Sequence, residues 1–310
     1  MASNDATISG PIGRESPTMS VLHIACAVLV PLLWGAQYAV IKVGLAVFPP
    51  LFFAGLRFAV IALLLIPLVG SLKKRDIGPV LLISIFMGGI NFGGAFIGLT
   101  RSPAGIAGIA NQLWTPFTLL LAWPILGERP SLRVILGVTV AFSGLILSVV
   151  DPTKAPPIVS TLCVIGSAVG LASGNVLTKR FGPFEPLKLF SWMSLFTAFQ
   201  LLLLSLFLER GQFDAIVTAT SSQWIAFGFT VLFGGITAFG IWFWLIARFS
   251  IARVAPYALL QSFFSIAAGV LFQHEPLTGA LAAGAVICVS GVAFSQVSLP
   301  KAFSRKVPAE

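Results

Sequence analysis

Ten apolar stretches, each near the length of a membrane-crossing helix and almost free of charge, constrain this chain more than any other feature. Between their charged borders they run over residues 21–41, 51–72, 77–99, 104–126, 134–150, 157–178, 189–208, 223–247, 254–272 and 277–298. A helix needs ~20 residues to cross ~30 Å of hydrocarbon. Arg57 is the one charge lying well inside any stretch. Hydrocarbon offers no hydrogen-bond partners, so backbone placed there must satisfy itself within helices. The sequence therefore predicts an all-α polytopic membrane protein with ten transmembrane helices.

Composition supports the same class. Apolar residues make up 57% of the 310 and charged residues 9%, with a mean hydropathy of +0.99, well outside the soluble range. Ten helices and short turns consume the length, leaving no soluble catalytic domain. Residues 1–20 are rich in Ser, Thr, Gly and Pro and read as a flexible cytoplasmic tail. They do not read as a signal peptide, because the first apolar stretch is of spanning length and no small-residue cleavage site follows it. Residues 298–310 read as a basic cytoplasmic tail. Cys26, Cys163 and Cys288 fall inside predicted helices, which suits packing residues rather than a disulfide framework.

The net charge of +9 is unevenly placed. With the N-terminus inside, the cytoplasmic segments hold Arg14, Lys73, Lys74, Arg75, Arg129, Arg133, Lys179, Arg180, Lys188, Arg248, Arg253, Lys301, Arg305 and Lys306, which is 14 of the 19 cations. The opposite side holds 4, namely Lys42, Arg101, Lys154 and Arg210, and Arg57 is intramembrane. The positive-inside rule then selects both termini cytoplasmic. The basic excess is a topology signal, and no nucleic-acid partner is expected.

The chain also repeats itself. Gly127-Glu128-Arg129, Gly137 and Gly144 recur 147 residues later as His274-Glu275-Pro276, Gly284 and Gly291, while Lys42 recurs 137 residues later as Lys179. Two five-helix halves, residues 21–150 and 157–297, must then lie inverted, because an odd number of crossings flips the second copy. Inverted repeats are the architecture of many alternating-access carriers, with the substrate held near the midplane.

At these residues the chain resembles the drug/metabolite transporter superfamily, and within it the EamA family. The likeness is carried by Leu33-Trp34-Gly35 with Lys42, Pro49-Pro50, Ala54-Gly55-Leu56-Arg57-Phe58, Pro103-Ala104-Gly105-Ile106-Ala107, Gly127-Glu128-Arg129, Gly174-Asn175 with Lys179, and Arg253-Val254-Ala255-Pro256. It covers residues 21–297 as two inverted five-helix EamA repeats. The resemblance implies efflux of small neutral amino acids or derivatives, of the kind exported by bacterial carriers of cysteine and O-acetylserine. Gln112 matches a Gln in such carriers, whereas Asn111, Pro116 and Gln261 stand where they are apolar and mark cavity positions that can alter the substrate.

The candidate substrate-binding residues are Trp34, Gln37, Arg57, Asn91, Asn111, Gln112, Trp114, Asn175, Tyr257 and Gln261. An intramembrane guanidinium can hold a carboxylate through two parallel hydrogen bonds, or it can bind carbonyls and helix ends. Amides can hydrogen-bond both ends of a zwitterion, or tie helices together. Aromatic walls suit an ammonium group or an apolar side chain. The pairs Gly88-Gly89, Gly93-Gly94 and Gly234-Gly235 serve as hinges or as close-packing sites.

No Asp or Glu lies inside any stretch, so the usual carboxylate proton relay of coupled carriers is missing. Membrane-embedded enzymes need paired carboxylates or His/Asp clusters at the membrane edge, and the acidic residues here are scattered. No catalytic residue, metal site or cofactor is expected. A small-molecule substrate and the lipid bilayer are the implied partners. Homodimerisation, the coupling ion, and efflux of drugs or nucleobases in place of amino acids all stay open.

Overall fold

The computed structural model describes residues 19–148, 156–249 and 251–296, so the two terminal tails and the Lys154 loop lie outside the described residues. Within them the ordered elements are helices. They are α1 (Val21–Leu45), α2 (Pro50–Val69), α3 (Lys74–Leu99), α4 (Ala104–Asn111), α5 (Trp114–Leu126) and α6 (Leu132–Ser148) in the first half. The second half has α7 (Ile158–Phe181), α8 (Pro186–Leu208), the short α9 (Gln212–Thr218), α10 (Ser221–Ile246), α11 (Ile251–Ala258), α12 (Leu260–Gln273) and α13 (Gly279–Gln296).

The punctuation follows from prolines and glycines. Pro50 and Pro186 stand in the first turns of α2 and α8, where a missing N–H costs nothing. Gly70 and Gly127 close α2 and α5 at φ 69° and 76°, a conformation that glycine enters without penalty.

Among the described residues seven helices are long and apolar enough to cross a membrane, counting Arg253–Gln273 as one; α6 and α13 are shorter. The fourth apolar stretch, expected as one helix, holds two. There α4 and α5 are separated at Gln112 and Leu113, whose amides bond back three residues to Ile109 and Ala110. Pro116 lacks the N–H that would bond the Gln112 carbonyl, and Thr115 takes that carbonyl instead at 3.3 Å. The ninth stretch breaks likewise at Leu259, between α11 and α12. Gln112 and Leu259 are 147 residues apart, the spacing of the sequence repeat.

The third membrane-length helix of each half carries the same irregularity. Ser84–Ile90 in α3 and Thr230–Thr237 in α10 are π-helical, and each contains one of the glycine pairs. Outside these segments α3 and α10 are ordinary α-helix. The repeat is thus present in backbone geometry as well as in sequence.

The halves are interleaved. Helix α1 packs on α10 and α12, α7 on α3 and α5, α2 on α8, and α6 on α13. The α6–α13 contact is a glycine seam: a methyl added at Gly144 would lie 2.6 Å from the Gly284 oxygen, and one at Gly137 would lie 2.7 Å from the Gly291 oxygen. Small residues let helices meet where lipid supplies no hydrophobic drive. Phe53, Phe58, Ile61, Phe96 and Leu113 fill the interior, while Leu63, Leu68 and Phe207 are largely exposed on the outside, as side chains facing lipid tails are.

Candidate functional site

One face of α1 organises the buried polar groups. Trp34, Gln37 and Tyr38 are spaced three and four residues apart and so project together. Arg57 of α2 lies against them, 1% exposed. Its Nε donates to the Thr230 carbonyl at 3.1 Å, and Nη2 donates to Gln37 Oε1 at 3.3 Å. Thr230 opens the π segment of α10, an irregularity often found at functional sites. The rings of Phe58 and Phe92 lie 5.4 and 5.3 Å from the guanidinium carbon, within cation–π range.

Arg57 Nη1 has no hydrogen-bond partner among the described residues. Among the described residues no carboxylate lies within ion-pair distance of it; the ion pairs are Lys42–Glu275, Arg75–Asp76, Lys179–Glu128 and Lys188–Glu185. The indole Nε1 of Trp34, one turn before Gln37, is a second buried donor without a partner among the described residues. Its ring packs against Phe239 and Trp242, with centroids at 5.2 and 5.6 Å. Gln37 fits between α1 and α10 because residue 234 is glycine; any Cβ there would collide with the Gln37 amide.

The other amides are distributed more widely. Gln261 of α12 donates to the Tyr38 hydroxyl at 3.3 Å, which brings it to the same face of α1. Gln112, 2% exposed, spends its Nε2 protons on the Ala258 and Leu259 carbonyls at 3.0 and 3.2 Å. Those carbonyls sit at the break between α11 and α12, so Gln112 clamps one interrupted helix to the other. Asn111 ends α4 beside it and is 8% exposed, and Trp114 opens α5, half-buried against the core.

Three candidates lie elsewhere. Asn91 turns its Nδ2 back to the Met87 carbonyl at 3.2 Å. Asn175 is half-buried on α7, and the preceding Gly174 is filled by Met87, so that glycine serves helix packing and leaves no open backbone. Tyr257 belongs to a cluster with Trp244 and Phe249 that reaches Trp34 on the face of α1 through Trp242. The glycine pairs also pack: Gly88 faces Thr197, and a methyl added at Gly94 would lie 2.8 Å from the Cys163 carbonyl oxygen.

Sequence reasoning missed two things. Tyr38, the buried partner of Gln261, carried no signal beyond its spacing from Trp34. The ion pairs Lys42–Glu275 at 2.8 Å and Lys179–Glu128 at 2.6 Å were visible only as repeat markers, though the shared spacings already named all four residues.

Two repeated helical halves, with an uncompensated cation and a set of amides buried between them, define a polytopic membrane transporter rather than a soluble or single-span protein. The chain belongs to the EamA-like transporter family, whose model matches residues 21–150 and again 159–296. It is 30% identical over 278 residues to a Salmonella typhimurium protein named "Probable amino-acid metabolite efflux pump", covering 86% of this chain and 92% of that one. An Escherichia coli protein of the same name is 28% identical, again over 86% and 92%. "Uncharacterized transporter YvbV" of Bacillus subtilis is 31% identical over 89% of this chain and 90% of its own. A crystal structure 18% identical superposes with a TM-score of 0.63 over 90% of this chain and 99% of that one, which shows a shared fold.

Proposed function

We propose that this protein exports small zwitterionic metabolites of the amino-acid type across the inner membrane, and that Arg57 takes their carboxylate. The observation that carries the reading is the guanidinium itself, 1% exposed with Nη1 unpartnered and no carboxylate beside it among the described residues. An uncompensated charge at that depth is costly and marks a functional position. A substrate carboxylate neutralises it and gives Nη1 an acceptor. The Trp34 N–H supplies a further donor, and the rings of Phe239 and Trp242 offer a face to the ammonium or side chain.

The chain crosses ten times with both termini cytoplasmic, α4 with α5 and α11 with α12 each making one interrupted crossing. Its halves are inverted. Transport proceeds by alternating access, the halves moving about the face of α1 where Trp34, Gln37, Arg57 and Gln261 converge. Interrupted helices meeting at a midplane site are a recurrent feature of inverted-repeat carriers. The names of two relatives support amino-acid metabolites as cargo and efflux as direction.

Counterflow of radiolabelled cysteine, O-acetylserine, threonine and phenylalanine in proteoliposomes tests this. Saturable flux that Arg57→Lys weakens, with the variant still monodisperse, is the expected result. Absence of flux for every amino acid from folded protein would transfer the reading to efflux of drugs or nucleobases.

A further inference from the structure

Lys42 and Lys179 occupy the same place in the two halves, in the last turns of α1 and α7. Glu275 and Glu128 also correspond. Each follows a left-handed cap residue, His274 at φ 53° and Gly127 at φ 76°. Each Glu amide bonds the carbonyl six residues back, Glu275 to Gly269 at 3.0 Å and Glu128 to Ala122 at 3.3 Å. The two turns are built alike and present a carboxylate at the same point.

The pairing is crosswise. Each lysine takes the glutamate of the opposite half, at 2.8 Å for Lys42–Glu275 and 2.6 Å for Lys179–Glu128. An ion pair within one half moves with that half and is indifferent to transport. One between the halves makes and breaks as they move.

The pairs differ in surroundings. The side chains of Lys42 and Glu275 are 23% and 11% exposed, against 62% and 54% for Lys179 and Glu128. Glu275 Oε1 also accepts the Ala104 N–H at 2.8 Å and Oε2 accepts the Gly105 N–H at 3.4 Å, while Lys42 donates to the Ser102 carbonyl at 3.2 Å. Glu275 thereby gathers the ends of α1, α4 and α12 into one closed knot. Glu128 meets Lys179 in the open.

We infer that Lys42–Glu275 and Lys179–Glu128 are the two gate latches of the transport cycle, one for each face of the membrane, and that they exchange packed and open surroundings as access alternates. This rests on the inverted-repeat reading above. When repeated halves invert, each adopts in turn the conformation the other has just left. The structure then corresponds to the state shut at Glu275 and yielding at Glu128, poised for entry from the Lys179 face. These four are positioning residues, since they act on where the halves lie and not on the substrate.

Site-directed thiol labelling tests the assignment without any substrate, so its result is independent of which metabolite is carried. Cys26, Cys163 and Cys288 are replaced, and a single probe is placed at Ser102 or Thr178 in membranes of defined sidedness. With a membrane-impermeant maleimide, Glu275→Gln raises labelling at position 102 several-fold and lowers it at 178. Glu128→Gln does the reverse, and Lys42→Arg leaves both near the starting level. Rises at both probes in both variants signify general loosening and overturn the inference, as does no change in either. Opposed responses read from the wrong faces support the latches and overturn the assignment of the N-terminus to the cytoplasm.

Discussion

Gln112 and Leu259, 147 residues apart, occupy the same position in the two halves, and the side chain of one donates to the carbonyl of the other at 3.2 Å. Each marks the point where its helix is interrupted. An interruption leaves carbonyls without backbone donors, and in a membrane those carbonyls cannot turn to water. The Gln112 amide serves the Ala258 and Leu259 oxygens together.

Gln112→Leu strips both carbonyls of their donor. The variant loses about 1–2 kcal/mol of stability, the range for hydrogen bonds between membrane helices. Thermal unfolding of detergent-purified protein reads this as a lowered midpoint. An unchanged midpoint would mean that water or another donor reaches the break.

Trp34→Phe separates function from stability at one residue. The indole N–H it removes is buried and has no partner, so its deletion relieves a desolvation cost instead of breaking a bond. The thermal midpoint stays level or rises, while the half-saturating concentration for amino-acid counterflow increases. A fall in stability would show that the N–H is satisfied in the folded protein.

Arg57→Lys keeps the charge and gives up the planar fork. A hydrogen bond to a charged group is worth about 1.5–3 kcal/mol, so apparent affinity for carboxylate-bearing substrates drops about 10- to 100-fold. Esterified or amidated analogues, lacking the anion, lose the distinction between wild type and variant. Equal losses for acids and amides would make Arg57 a structural residue.

Glu209 holds the start of α2, accepting the Leu51 and Phe52 N–H groups at 2.8 and 3.0 Å. Glu209→Ala leaves both donors open at a helix N-terminus and costs about 0.5–2 kcal/mol. Its thermal midpoint falls with transport kinetics otherwise unchanged.

The glycine seam gives the steepest contrast. Gly144→Val places branches against the backbone of α13, where even a methyl meets the Gly284 oxygen at 2.6 Å, and the protein fails to assemble. Gly166→Val on α7, where nothing lies within 4 Å, is tolerated. Yield of monodisperse protein after membrane extraction compares them directly.

Much of this was legible in the sequence because lipid imposes one rule on every helix. Apolar stretches beginning at residues 21 and 104 and ending at 99, 126 and 208 match helix ends to the residue. The interruptions were not legible. An apolar run through Gln112 or Leu259 has the same hydropathy whether the backbone is continuous or broken, and the preference is settled by Pro116 and by a donor from the other half. The π segments escaped for a similar reason, since a shift in backbone bonding leaves composition unchanged. The candidate residues were legible as polar types and not by their partners: Gln112 and Gln261 are both amides in apolar stretches, yet one clamps carbonyls and the other meets a tyrosine hydroxyl.

The crosswise ion pairs bear on how the chain is made. The first half leaves the ribosome with Lys42 and Glu128 and without the partner of either, because Glu275 and Lys179 are still to be synthesised. Neither half completes its own charge balance. Insertion can seat the early helices in order, but final closure waits for the last third of the chain, so a truncated or slowly translated product is left with charged ends that only its own unfinished sequence can neutralise.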